Sequence, residues 1–207
     1  MNENQRIRWM VKPLLFAASL LPFVWLVRNG VWGELGANPV ETISRYTGDW
    51  TLRFLLITLA VTPLRRLTGW QGLQRLRRML GLFAFFYACL HVTAYLWLDQ
   101  FFSPGAIAED VLERPYITVG FASFLMLIPL AVTSTRAMMR RLGGRRWQRL
   151  HRLVYLTACG GVLHFLWLVK SDLAQPLVYA LVLALLLGYR LVGAMRKMPA
   201  HGNTSPG

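Results

Sequence analysis

The chain is poor in acid. Nine aspartates and glutamates stand against 23 lysines and arginines in 207 residues, a formal net charge of +14. Charge of any sign is scarce: 15% of residues, where soluble domains carry about 25%. There is no Cys-x-x-Cys-His, so covalently attached heme is excluded. No zinc-type Cys/His spacing, catalytic triad or glycine-rich phosphate loop is present, which argues against a soluble nucleotide-binding domain. The two cysteines, Cys89 and Cys159, both fall inside apolar runs. They make no disulfide framework and read as small apolar fillers.

What the chain has is hydrophobic length. Residues AVILMFWYC make up 55% of it, gathered into runs of about 17 to 22 residues that suit a hydrocarbon core of roughly 30 Å. Six spans are expected, over residues 13–27, 50–64, 79–98, 116–133, 150–169 and 175–195, with Pro129 a kink in the fourth. The basic start leads into an apolar run with no clear cleavage site, so it reads as a retained first span. The fold class expected is all-α: one six-helix membrane bundle over residues 1–197, followed by a disordered tail, 198–207, that holds the uninvolved His201.

The segments between runs alternate in charge. Arg6, Arg8 and Lys12 precede the first; Arg65, Arg66, Arg75, Arg77 and Arg78 follow the second; Arg136, Arg140, Arg141, Arg145, Arg146 and Arg149 follow the fourth; Arg190, Arg196 and Lys197 close the sixth. The intervening segments carry most of the acid: Glu34, Glu41 and Asp49, then Asp99, Glu109, Asp110 and Glu113, then Asp172 beside Lys170. The positive-inside rule places both termini in the cytoplasm. Trp9, Trp50, Trp70, Trp97, Trp147 and Trp167 sit near run ends, where aromatic belts form. The arginines are therefore topology signals, not a nucleic-acid surface, and membrane lipid is the partner they imply.

Histidine carries the chemistry. An ionisable residue inside a span is costly and marks a functional site. His91 lies 12 residues past Met79 and His164 lies 14 past Leu150, roughly 18 and 21 Å along helices that both run outward. Imidazoles at one level on neighbouring helices can grip one iron from both sides, which suits electron transfer by a non-covalent b heme. His151 lies 13 residues before His164, roughly 20 Å lower on what reads as the same helix. No histidine of the third span is level with it. It is open to a second heme with another partner, to a quinone or flavin headgroup, or to a solvated edge. Gly160 shares a face with His164, and it either leaves room for a porphyrin or serves close helix packing.

These residues resemble a known family. LHV at 90–92, WQRLHRLVY at 147–155 and LHF at 163–165, with PVETI at 39–43, TGDW at 47–50, LAVTPL at 59–64, RRMLGL at 77–82 and RPYITVG at 114–120, are the stretches that carry it. They resemble the ferric-reductase-like transmembrane domain. More closely, they resemble the family of heme-binding membrane subunits of the bacterial periplasmic methionine sulfoxide reductase system (the MsrQ or YedZ family). The resemblance covers nearly the whole chain except its tail. It implies a multi-pass protein of the bacterial inner membrane that takes electrons from quinol. It also implies that these electrons pass to a periplasmic molybdopterin-containing methionine sulfoxide reductase, which repairs oxidised proteins. It further implies b heme and FMN, with His91 and His164 on the family's heme ligands and His151 on its third histidine. The larger ferric reductases and NADPH oxidases carry two histidines on each of these helices, whereas this chain has one on its third span. Their cytosolic flavin domain has no counterpart here, so electrons are expected from another molecule. A stand-alone ferric-chelate reductase is the alternative within this resemblance. A small transporter or assembly factor, using histidine for protons or metal, is the alternative outside it.

Overall fold

The computed structural model describes residues 2–169 and 171–195. Lys170, Arg196, Lys197 and the expected tail with His201 lie outside the described residues. The rest is helical. The elements are α1 (Glu3–Arg6), α2 (Lys12–Trp32), α3 (Pro39–Thr68), α4 (Arg77–Ala94), α5 (Pro104–Glu113), α6 (Pro115–Val132), α7 (Arg136–Leu142), α8 (Gly144–Leu150), α9 (Leu153–Leu168) and α10 (Ala174–Met195). A π-turn over Ile7–Val11 joins α1 to α2, and another over Tyr95–Asp99 extends α4.

Local chemistry sets the boundaries. Asn38 caps α3 by accepting the Glu41 amide at 3.2 Å, and Pro39 occupies the first turn, where its missing N–H costs nothing. That helix stops at Gly69, whose φ of 70° is left-handed and so favours glycine. Pro115 starts α6, and Thr135 caps α7 through the Met138 amide.

Four helical stretches among the described residues are long and apolar enough to cross a membrane: Glu3–Trp32, Arg77–Asp99, Pro115–Val132 and Ala174–Met195. They hold the expected first, third, fourth and sixth runs. The second and fifth runs are helices as well, with differences. Helix α3 has 30 residues but carries Glu41, Arg45, Asp49 and Arg53 in its first half. Helix α9 has 16 residues, about 24 Å of rise. It is shorter than the expected 150–169 because the chain turns at His151 and Arg152. The amides of Arg152 and Tyr155 there bond carbonyls only three residues back, those of Arg149 and Arg152.

Helices α3 and α4 pack along each other, as do α6 and α9, while α10 lies against α9 and α3. The core is aromatic: Phe54 stacks on Tyr87 with ring centres 5.4 Å apart and 9° between planes, and on Phe83 at 5.6 Å. Tyr87 also holds α2. Its hydroxyl donates to the Ser19 carbonyl at 2.7 Å and accepts the Phe23 amide at 3.2 Å, beside Pro22. The outward faces are apolar. Leu14, Leu21 and Val31 of α2 and Leu181, Leu185 and Leu191 of α10 are all more than 60% exposed. A water-soluble surface does not carry such a belt, so the protein is a polytopic membrane protein whose outer faces meet lipid. Cys89 is half-buried, but Cys159 is exposed, so only the first is a filler of the interior.

Charge divides the bundle. Basic residues gather where α3 ends and α4 begins, and again around α7 and α8; acidic residues gather at the opposite end. Helix α5 at that acidic end was not anticipated from sequence. It is tied down by buried Asp110, which accepts Gln100 Nε2 at 2.7 Å and the Tyr95 hydroxyl at 3.2 Å and pairs with Arg114 at 3.2 Å.

Candidate heme site

Two histidines meet across a cavity. His91 comes from α4 and His164 from α9, and these two helices face each other with the α3–α4 and α6–α9 pairs on either side. Their ring centres are 6.2 Å apart and their planes lie 74° apart. An imidazole nitrogen sits about 2 Å from a first-row metal ion and about 1.1 Å from its own ring centre, so two rings gripping one ion have centres about 6 Å apart. The observed separation fits that arrangement.

The orientation of each ring is set by the main chain. His91 Nδ1 lies 2.9 Å from the Ser44 carbonyl, and His164 Nδ1 lies 2.7 Å from the Tyr116 carbonyl. A carbonyl only accepts, so each Nδ1 carries the proton and each Nε2 keeps its lone pair. This is the outer-shell arrangement of a metal-binding histidine.

The cavity they face has a volume of about 670 Å³, within the range of ligand sites. Three glycines make the space. A Cβ at Gly120 would lie 2.7 Å from His164 Nδ1, one at Gly48 would lie 3.2 Å from His91 Nδ1, and one at Gly161 would lie 2.9 Å from Leu52. Thr157 Oγ1 lines the cavity, is buried and has no partner, an orphan that an occupant would satisfy. Arg45 and Arg114 stand at its acidic mouth, paired with Glu41 at 2.9 Å and Asp110 at 3.2 Å. Ligands, space and flanking cations all fit a heme.

Gly160 does not take part. A Cβ there would come within 2.2 Å of Ser123 Oγ, so this glycine serves the contact between α9 and α6. The clearance comes instead from Gly48, Gly120 and Gly161. The first two lie in the TGDW and RPYITVG stretches, whose position against the histidines was not visible in one dimension.

The family model described as "Ferric reductase like transmembrane component" matches residues 47–162. A curated protein of Herminiimonas arsenicoxydans is 56% identical over 190 residues, covering 91% of this chain and 87% of its own length. A second, of Rhodospirillum rubrum, is 58% identical over 183 residues, covering 88% of each. Both are named protein-methionine-sulfoxide reductase heme-binding subunit MsrQ. The chain belongs to the MsrQ family of heme-binding subunits.

The third histidine of this MsrQ-family chain sits elsewhere. His151 is not on α9; it caps the end of α8, at the turn before α9, so a comparison of its angle with that of His164 along one helix does not apply. Its ring stacks on Trp147 with centres 3.9 Å apart. His151 Nε2 lies 3.0 Å from Thr133 Oγ1, which donates its one proton to the Pro129 carbonyl at 2.6 Å. The imidazole must therefore be the donor, through Nε2. The structure brings His91 and His164 together and leaves His151 apart, at the basic end.

Proposed function

We propose that this chain is a heme-binding, multi-pass electron-transfer subunit of the bacterial inner membrane, serving a periplasmic methionine sulfoxide reductase whose catalytic subunit performs the sulfoxide chemistry. Membership in the MsrQ family supports this, and one observation carries the residue assignment: two imidazoles 6.2 Å apart, each held through Nδ1 by a main-chain carbonyl.

In this reading His91 and His164 supply the two axial nitrogens of a b heme. Gly48, Gly120 and Gly161 leave clearance for its plane, and Arg45 and Arg114 pair with its propionates. Heme bound there supplies a one-electron iron couple with no open coordination position. The carbonyls of Ser44 and Tyr116 keep both rings aimed and their Nε2 atoms unprotonated. The cavity lies at the acidic end, within reach of a partner docked on that side.

The finer parts of the proposal are these. All six apolar runs cross the membrane, α3 and α9 included, as one domain over residues 1–197, with both termini and the basic end in the cytoplasm. Quinol is the electron donor, and His151 serves the donor side. The partner carries molybdopterin and forms a heterodimer with this chain. FMN belongs to the proposal through the family resemblance alone, and no residue is assigned to it.

A dithionite-reduced spectrum with pyridine hemochrome quantitation tests the center of this reading. One low-spin b heme per chain is expected, reducible by quinol and reoxidised by the partner with methionine sulfoxide. Fluorescence of flavin released on denaturation tests FMN, and reporter fusions at the loops test the spans. Reduction of a ferric chelate without any partner would replace this reading by a stand-alone reductase. A colourless purified chain would remove it.

A further inference from the structure

A second cavity, about 1000 Å³ in volume, opens at the basic end. Arg8, Lys12, Arg75, Arg77, Arg78 and Arg152 line it, and no aspartate or glutamate does. Its cations are also unpaired. Among the described residues the four ion pairs, Arg28–Glu34, Arg45–Glu41, Arg53–Asp49 and Arg114–Asp110, all involve acids of the other end. Of the six cations, only Arg75 makes a side-chain hydrogen bond, to Asn4. Arg190 adds a further positive charge close enough to act on Arg77. Like charges gathered around one space, with no protein anion among them, repel unless an anion enters.

Below the cations the wall turns apolar, through Leu82, Phe85, Leu127, Leu130 and Val154. Phe85 lies seven residues beyond Arg78 on α4, about 10 Å deeper along the helix. A ring of guanidinium groups at the bundle end, above about 10 Å of hydrocarbon wall, matches a molecule with an anionic head and an apolar body. A small soluble anion would satisfy the rim and leave the wall bare.

We propose that this cavity binds an anionic phospholipid, its phosphate held by the arginines at the rim and the start of an acyl chain laid along the Phe85–Leu127–Leu130 wall. Guanidinium is the group best matched to phosphate oxygens, and basic pockets between membrane helices hold anionic headgroups in this way. The site is separate from the His91/His164 cavity; the proposal rests on the membrane placement given above and not on the heme assignment.

The test is native mass spectrometry of the full chain in detergent, titrated separately with phosphatidylglycerol and phosphatidylcholine of the same acyl chains. Saturable binding of one phosphatidylglycerol, at least tenfold tighter than phosphatidylcholine, is expected. Each arginine near a headgroup contributes roughly fivefold, so R77Q/R78Q weakens phosphatidylglycerol about 25-fold and leaves phosphatidylcholine unchanged. Should circular dichroism show that pair misfolded, R8Q/K12Q replaces it with the same expectation. Equal affinity for the two lipids overturns the proposal, as does undiminished binding in a folded variant. Displacement of the lipid by equimolar glycerol 3-phosphate overturns it too, and reassigns the cavity to a soluble phosphate ester. Heme absorbance recorded on the same samples reports the other cavity independently, so either reading can fail alone.

Discussion

At the acidic end, His91 and His164 give their Nδ1 protons to main-chain carbonyls and present bare Nε2 atoms across a cavity. At the basic end, His151 spends its Nε2 proton on Thr133 and lies flat against Trp147. Both settings are partly buried histidine in a membrane bundle. What separates them is which nitrogen the surroundings engage and whether a second imidazole stands opposite. The charges differ in the same sense. The arginines at the mouth of the histidine pair already have carboxylate partners, whereas those of the basic cavity have none. One cavity is built around two lone pairs, the other around uncompensated cations.

The comparison is broken most severely by removing an axial ring. H91A or H164A is expected to lose nearly all bound heme and the low-spin spectrum, measured by pyridine hemochrome, while H151A keeps both and is reduced more slowly by quinol. If H151A loses heme as fully as H164A does, the distinction drawn here between the two ends is wrong. Next comes G120A. Its Cβ would stand 2.7 Å from His164 Nδ1, and overpacking of this kind costs about 1–3 kcal/mol. A roughly ten- to hundredfold weaker retention of heme is expected, with G48A, at 3.2 Å from His91, milder.

T133V acts at the other end. It strands the His151 Nε2 proton, a loss of about 1–3 kcal/mol of stability, read as a lower Tm with an unchanged heme spectrum. The smallest effect is expected for D110N. It weakens the ties from Gln100, Tyr95 and Arg114 to α5, so faster proteolytic cleavage within residues 99–114 is expected with heme content intact.

Much of this architecture was legible in one dimension. The expected 116–133 and 175–195 runs differ from α6 and α10 by a residue at a boundary, because apolar length and a starting proline are local signals. The level of His91 with His164 was legible too, since helical rise converts residue counts into depth. The break at His151 was not. Nothing in Leu150-His151-Arg152 forbids helix, and the turn accompanies the stacking on Trp147 and the bond to Thr133, 18 residues away. Gly160 was the glycine singled out by helical spacing, yet Ser123 of α6 occupies the space beside it. Helix α5 was missed because its anchor, Asp110, looked like one more loop acid until Tyr95, Gln100 and Arg114 closed on it.

By itself, then, the order of residues determined the helices, the polarity of the two ends and the height of the histidines. These are sums of local terms: transfer into hydrocarbon, rise per residue, charge between runs. Tertiary structure alone decided which nitrogen of each ring is free, which glycines clear the space, and which arginines lack a partner. Each of these depends on groups brought together from distant parts of the chain, such as Ser44 against His91 and Tyr116 against His164.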